Sequence, residues 1–303
     1  MKKPASSILK SALVLSITVL IFYLLFTKID FYSVVSVLLS SNPPWLVIAL
    51  ILSLSSVTIS AKRWQTLLKK LGYNFQYKEC FYLILGALPL ASITPLKMGD
   101  TIKAYYLKGK IPSSKTIGAI VTERTFDILC LTLFSLIGML FYKKYELASI
   151  VFIILVCIAV IFILAHFTFR LPIKNSWNER IQSLLLLLRL LTRHKTAFCL
   201  VFFYSLLIWC ISIAQTLTFF YAVGINVPLL FTIANIPIAI FIGLIPITLG
   251  GMGTRDAAII FLFSEFASPA KLLGAGILFS IFRYWLLSLI GIPFMRKMVK
   301  EVS

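Results

Sequence analysis

From Ala148 to Phe169 the chain carries no Asp, Glu, Lys or Arg. A helix that crosses a bilayer needs about 20 mostly apolar residues, so this run is long enough to span. Five more segments read the same way: Ile8–Thr27, Pro43–Ala61, Thr116–Phe141, Thr196–Val223 and Pro269–Phe294. Composition agrees. Of the 303 residues, 60% are hydrophobic and 13% charged, with a mean hydropathy of +1.00. A soluble domain carries about 25% charged residues. This chain could not cover its surface with polar groups in water, and the reading excludes a soluble enzyme.

Lys2, Lys3 and Lys10 precede the first apolar stretch in the manner of a signal peptide. The stretch runs on to Phe26, long for a cleaved leader, and no small-residue cleavage site follows. It is expected to be the first span.

Two other apolar stretches differ in kind. Cys80–Leu96 is short and interrupted by Gly86, Pro89 and Pro95. Pro228–Leu249 contains Pro237, Gly243 and Pro246, then leads through Gly250-Gly251-Met252-Gly253 into a second short run, Ala257–Ala267. Pro and Gly at membrane depth free backbone groups that must be satisfied inside the protein, and broken helices of this sort commonly line a site. The two stretches resemble each other. Ile93-Thr94-Pro95-Leu96-Lys97-Met98-Gly99 aligns with Ile247-Thr248-Leu249-Gly250-Gly251-Met252-Gly253, identical at four of seven positions. Charged residues follow each loop, Asp100 and Lys103 in one and Arg255 and Asp256 in the other. A span with an arginine follows each, Arg124 and Arg283 respectively.

The net charge of +19 invites a nucleic-acid reading. Its placement favours membrane topology instead. If both broken stretches enter and leave on one side, 22 of the 29 Lys and Arg face the cytoplasm, as the positive-inside rule requires. Only Lys28, Lys143, Lys144 and Lys271 fall outside. Full crossings would turn the basic 97–115 and 170–195 loops outward. The expected architecture is therefore an all-α, polytopic membrane helix bundle. It has about six full spans plus two broken or re-entrant hairpins in an inverted repeat, with units near 80–141 and 228–294. Both termini are expected in the cytoplasm. Ile181–Leu191, apolar between basic ends, is expected to lie on the inner membrane surface.

Ionisable residues inside apolar spans are costly and mark function by default. Glu123 and Asp127 are four apart and share a helix face, with Arg124 beside them. Arg255-Asp256 opens a helix after the Gly250, Gly251 and Gly253 loop. Backbone N–H groups there can cradle an anion, and an arginine can add bidentate contacts; pairing with other buried charges is the structural alternative. Arg283 lies mid-span and needs a partner, with Asp100, Glu123 and Asp256 as candidates. Lys97, Asp100 and Lys103 surround the first loop. The five cysteines lack metal-ligand spacing, and His166 and His194 have no partner in sequence that suggests a metal or a base. No cofactor is expected. Trp45, Trp64, Trp177 and Trp209 read as interface anchors.

These motifs resemble, as an ordered set, the lysylphosphatidylglycerol synthase transmembrane region, or flippase-like, family. The family's Arg-Trp is Arg63-Trp64. Its P-G-R-x-G-E-x-x-R loop is Pro95-Leu96-Lys97-Met98-Gly99-Asp100-Thr101-Ile102-Lys103. Its E-R-x-x-D is Glu123-Arg124-Thr125-Phe126-Asp127, and its G-G-x-G-x-R-E is Gly250-Gly251-Met252-Gly253-Thr254-Arg255-Asp256. Arg283 matches a late arginine. Lys97 and Lys103 stand for arginines, Asp100 and Asp256 for glutamates, and Leu96 for a glycine. The resemblance implies movement of an anionic, aminoacylated or polyprenyl-phosphate-linked lipid between leaflets, in a bacterial or archaeal plasma membrane. Arg124, Arg255 and Arg283 would meet the headgroup phosphate, and the four carboxylates would balance them. No counterpart of the fused aminoacyl-transferase domain of some relatives is expected, no nucleotide-binding loop occurs in the sequence, and no covalent chemistry is expected. The alternative is a non-transporting accessory subunit of a glycosyltransferase or lipid-modifying enzyme.

Overall fold

The structure, a computed structural model, describes residues 5–94, 99–167, 175–244 and 247–302, with side chains from residue 14 onward except 175–180, 183 and 302. Lys97, Pro95 and Pro246 therefore lie outside the described residues. The described chain is helical throughout, with no strand. In order it comprises α1 (Ala5–Lys28), α2 (Phe31–Leu39), α3 (Pro43–Lys70), α4 (Tyr77–Ser92), α5 (Ile102–Tyr106), α6 (Ser113–Phe141) and α7 (Tyr145–His166). There follow α8 (Asn175–Arg193), α9 (Lys195–Ala222), α10 (Leu229–Leu244), α11 (Thr254–Leu262), α12 (Pro269–Ser280) and α13 (Leu286–Val302), the last two joined by a π-helical turn at Ile281–Trp285.

Among the described residues, five helical segments are long and apolar enough to cross a membrane: α3, α6, α7, α9 and the continuous Pro269–Glu301. A sixth is the pair Val14–Lys28 and Phe31–Leu39, bent by 94°. The bend has a local cause. Asp30 is extended, and its Oδ2 accepts from the Ser33 N–H and hydroxyl, both at 2.7 Å, so it starts a new helix. Ile150, Phe152, Ile153, Val156 and Leu164 of α7 are exposed. An apolar patch of that kind has no place in water and suits a hydrocarbon surround.

The chain divides into two compact units, residues 1–54, 88–99 and 212–290 in the first and 55–87, 100–211 and 291–303 in the second. In the first, α2 packs on α12 through Val34 and Leu273. A Cβ on Gly274 would come within 2.9 Å of Val37, so glycine sets how closely these helices approach. In the second, α8 buries Leu187, Leu188 and Leu191 and packs against α6 and α7. The apolar face expected to rest on the membrane surface is thus turned onto protein. Arg189 explains part of this docking: it donates to the Ala165 carbonyl at 3.1 Å and caps the end of α7.

Both broken stretches follow one local plan. A 16-residue helix with an internal proline, α4 with Pro89 and α10 with Pro237, gives way to a loop and then a short helix, α5 or α11. Within the first unit the glycine loop meets the end of α4. A Cβ on Gly250 would lie 3.0 Å from the Ser92 carbonyl oxygen, and Gly250 takes a left-handed φ of 57°.

Candidate functional site: two buried charge clusters

The second unit holds six ionisable side chains in contact, and sequence order hides their arrangement. Glu123 and Asp127, one turn apart on α6, both face Arg63 of α3. Arg63 donates from Nη2 to Glu123 Oε1 and from Nη1 to Asp127 Oδ1, each at 2.6 Å. Lys103 of α5 lies 3.2 Å from Glu123 Oε2 and 3.4 Å from Asp100 Oδ1. Arg124 bridges Asp100 and Asp127, reaching the latter at 3.3 Å. The six groups close a ring: Arg63, Glu123, Lys103, Asp100, Arg124, Asp127 and back to Arg63. Signs alternate around it, and every member touches two of opposite charge.

Three cations face three anions, so the ring carries no net charge. That balance makes burial tolerable. A lone buried ion costs several kcal/mol, whereas each of these has two counterions and further polar contacts. Ser205 of α9 accepts from Arg63 at 2.8 Å, and the Trp209 indole donates to Asp127 at 3.2 Å. Lys103 sits 4.5 Å from the Trp64 ring centre, a cation–π distance. Burial is uneven around the ring. The Arg63, Lys103 and Glu123 side chains are 3–4% exposed and those of Asp100 and Asp127 9%, but that of Arg124 is 31% exposed. Arg124 is the side of the ring that meets the surroundings.

The glycine loop and the late-span arginine belong to the first unit. Gly253 takes a φ of 89° and starts α11. Asp256 accepts from the Gly253 N–H at 2.9 Å through Oδ2. Its Oδ1 accepts two bonds from Arg255, from Nε at 3.0 Å and Nη2 at 2.5 Å. Nη2 also donates to Ser280 Oγ at 2.7 Å and to the Gly276 carbonyl at 3.2 Å. The helix start and the bidentate arginine expected to hold a phosphate therefore hold the protein's own carboxylate. Arg255 Nη1 is buried and makes no hydrogen bond among the described residues. Gly243 and Gly276 allow this packing. A Cβ on Gly243 would be 2.8 Å from Arg255 Cβ, and one on Gly276 would be 2.7 Å from Asp256 Oδ1.

Arg283 lies in the π-helical turn, a feature that often marks function. It donates to Gln215 Oε1 at 3.4 Å, a partner absent from the three carboxylates expected; of those, Asp256 is engaged by Arg255. Gln215 is itself fixed by bonds to Ser53 and the Ala49 carbonyl, and Ser53 also bonds the Phe282 carbonyl inside the turn. The Phe279 ring lies between both arginines, 4.3 Å from the Arg255 guanidinium and 5.9 Å from that of Arg283.

Of the residues singled out in sequence, Asp100, Lys103, Glu123, Arg124 and Asp127 meet in the ring. Gly250, Gly251, Gly253, Arg255, Asp256 and Arg283 gather around the glycine loop. Ser205 and Gln215 were missed; Arg63 entered only through the Arg63-Trp64 family motif, and Trp64 and Trp209, expected as interface anchors, are instead buried against Lys103 and Asp127. Arg63 had been counted among loop cations, yet α3 runs on to Lys70 and buries it.

Comparison with known proteins adds lineage. The sequence profile of the family described as "Lysylphosphatidylglycerol synthase TM region" matches residues 8–291. A UPF0104 membrane protein of Methanocaldococcus jannaschii is 25% identical over 88% of this chain and 88% of its own length. Another, from Methanothermobacter thermautotrophicus, is 21% identical over 86% and 88%. Glycosyltransferase AglD of Haloferax volcanii is 29% identical over 38% of this chain, a stretch that makes up 19% of that protein.

Proposed function

We propose, from the premise that this chain belongs to the lysylphosphatidylglycerol synthase TM region family, that it moves an anionic lipid between membrane leaflets. The observation that carries the reading is the closed ring of six charges on apolar helices, with Arg124 at its accessible side. A protein that needed only packing would do better with apolar residues there. A lipid phosphate matches the guanidinium as well as a carboxylate does. It can therefore take the place of Asp100 or Asp127 on Arg124. The displaced carboxylate stays neutralised by its second contact, Lys103 or Arg63, so opening the ring strands no ion. Substitution of one anion by another keeps the cost of passage low. In this reading the protein performs no covalent chemistry.

The glycine loop serves the same movement from the first unit. Asp256 is an internal counterion for Arg255, standing where a phosphate would bind. The likeness between the stretches near 80–141 and 228–294 supports an inverted repeat, with one loop entering from each side and both termini in the cytoplasm of a bacterial or archaeal cell. Partners would be membrane lipids, including aminoacylated or polyprenyl-phosphate-linked ones. Reconstitution tests this reading. Vesicles holding the protein should equilibrate a fluorescent phosphatidylglycerol or short polyprenyl phosphate faster than protein-free vesicles. Equal rates for both lipids would count against it.

The stretch shared with AglD favours a second reading, in which the chain is an accessory subunit of a glycosyltransferase. A glycosyltransferase that co-purifies stoichiometrically with the inactive, folded protein would support that reading instead.

A further inference from the structure

The ring has no surplus charge with which to attract an anion from a distance. Such a surplus occurs elsewhere in the second unit. A cavity of about 650 Å³ lies between the last turns of α3 and the start of α9, lined by Lys62, Lys69, Lys70, Asn74, Thr196 and Tyr204 among others. No Asp or Glu lines it. None of the three ammonium groups pairs with a carboxylate among the described residues; Lys62 donates to Gln65 Oε1 at 3.0 Å. On α3, positions 62, 66, 69 and 70 share one helix face, so one side of the cavity is a lysine stripe. Two lysines in a last helical turn offset the helix dipole, but that does not explain Lys62 two turns earlier. The opposite wall is the beginning of a 28-residue helix, α9, whose positive dipole end favours an anion. Gln65 and Thr66 add further amide and hydroxyl groups, and Phe75, Ala197 and Leu200 supply apolar wall that suits the organic part of an ester. A site of this size falls within the range of small-molecule pockets.

We propose that this cavity binds a phosphate ester anion. The site is distinct from the ring, and it stands whether or not the protein moves lipid. It has a direct connection to the ring: Lys62 and Tyr204 are the chain neighbours of Arg63 and Ser205, which hydrogen-bond to each other at 2.8 Å. An anion held here therefore lies against the same two helices that carry Arg63 and its hydroxyl partner.

The test is thermal unfolding of the full chain in neutral detergent, titrated separately with dihexanoyl phosphatidylglycerol, inorganic phosphate and dihexanoyl phosphatidylcholine. Binding to the folded state raises the midpoint in a saturable way. The phosphatidylglycerol should do so, and Lys69→Gln/Lys70→Gln should weaken its apparent affinity about thirtyfold, taking each lysine near an anionic headgroup at about its usual worth. Lys108→Gln/Lys110→Gln, which removes equal charge elsewhere on the unit, should retain wild-type affinity. An equal response to inorganic phosphate would identify the free anion as sufficient, and a response to phosphatidylglycerol alone would identify the lipid headgroup. No saturable shift with either anion would overturn the proposal. So would equal affinity in wild type and Lys69→Gln/Lys70→Gln, or an equal shift with phosphatidylcholine.

Discussion

Arg63 shows how much one side chain holds. It is 3% exposed and satisfies two carboxylates on α6 and a hydroxyl on α9. Arg63→Met would take from Glu123 and from Asp127 the cation that each meets at 2.6 Å. Removing one partner of a buried ion pair costs about 3–5 kcal/mol. We expect a large fall in the unfolding midpoint in detergent, and a smaller one for Arg63→Lys, which keeps charge but loses the fork that reaches both carboxylates. Arg124→Gln should cost far less, because Arg124 is partly exposed. The importance of Glu123 and Asp127 was legible from their spacing. That of Arg63 was not legible from spacing, because with Lys62 it follows the run Pro43–Ala61 and looks like the start of a cytoplasmic loop. Only the continuation of α3 to Lys70 carries it inward. Lys97, the other cation assigned to the first loop, lies outside the described residues.

Helices and loops were legible in proportion to how local their causes are. Pro89 and Pro95 in one stretch, and Pro237 with the Gly250–Gly253 run in the other, announce the interruptions, and a short helix follows each. The turn at Ile281–Trp285 had no such signal: no glycine or proline lies within it, and its fixing contacts come from Ser53 and Gln215, far away in sequence. The 94° bend after Lys28 rests on one Asp30 cap that an apolar survey passes over. Close approach of α11 and α12 depends on glycine. Gly276→Ala would drive a methyl group to 2.7 Å from Asp256 Oδ1. Overpacking of this kind costs about 1–3 kcal/mol. The midpoint should fall accordingly, and an unchanged midpoint would mean that the Arg255–Asp256 pair shifts at little cost.

For the molecule as a whole, membrane residence follows from composition and run length, and five apolar helices with a bent sixth agree with it. The motif order carried the family. Neither could reveal that six charges close into a neutral ring, since α3, α5 and α6 bring together residues from 63 to 127. Neutrality bears directly on mechanism. In the proposed reading an anionic lipid enters by exchange with a carboxylate, and Arg124, 31% exposed, is the ring member that would exchange. The most direct measurement is the rate of phosphatidylglycerol translocation in proteoliposomes for wild type, Arg124→Gln and Lys108→Gln, with equal folding verified for all three. We expect wild type and Lys108→Gln to accelerate translocation equally and Arg124→Gln to lose at least about tenfold, the equivalent of one charge-assisted hydrogen bond. Full activity in Arg124→Gln would contradict a role for the ring in carrying the headgroup.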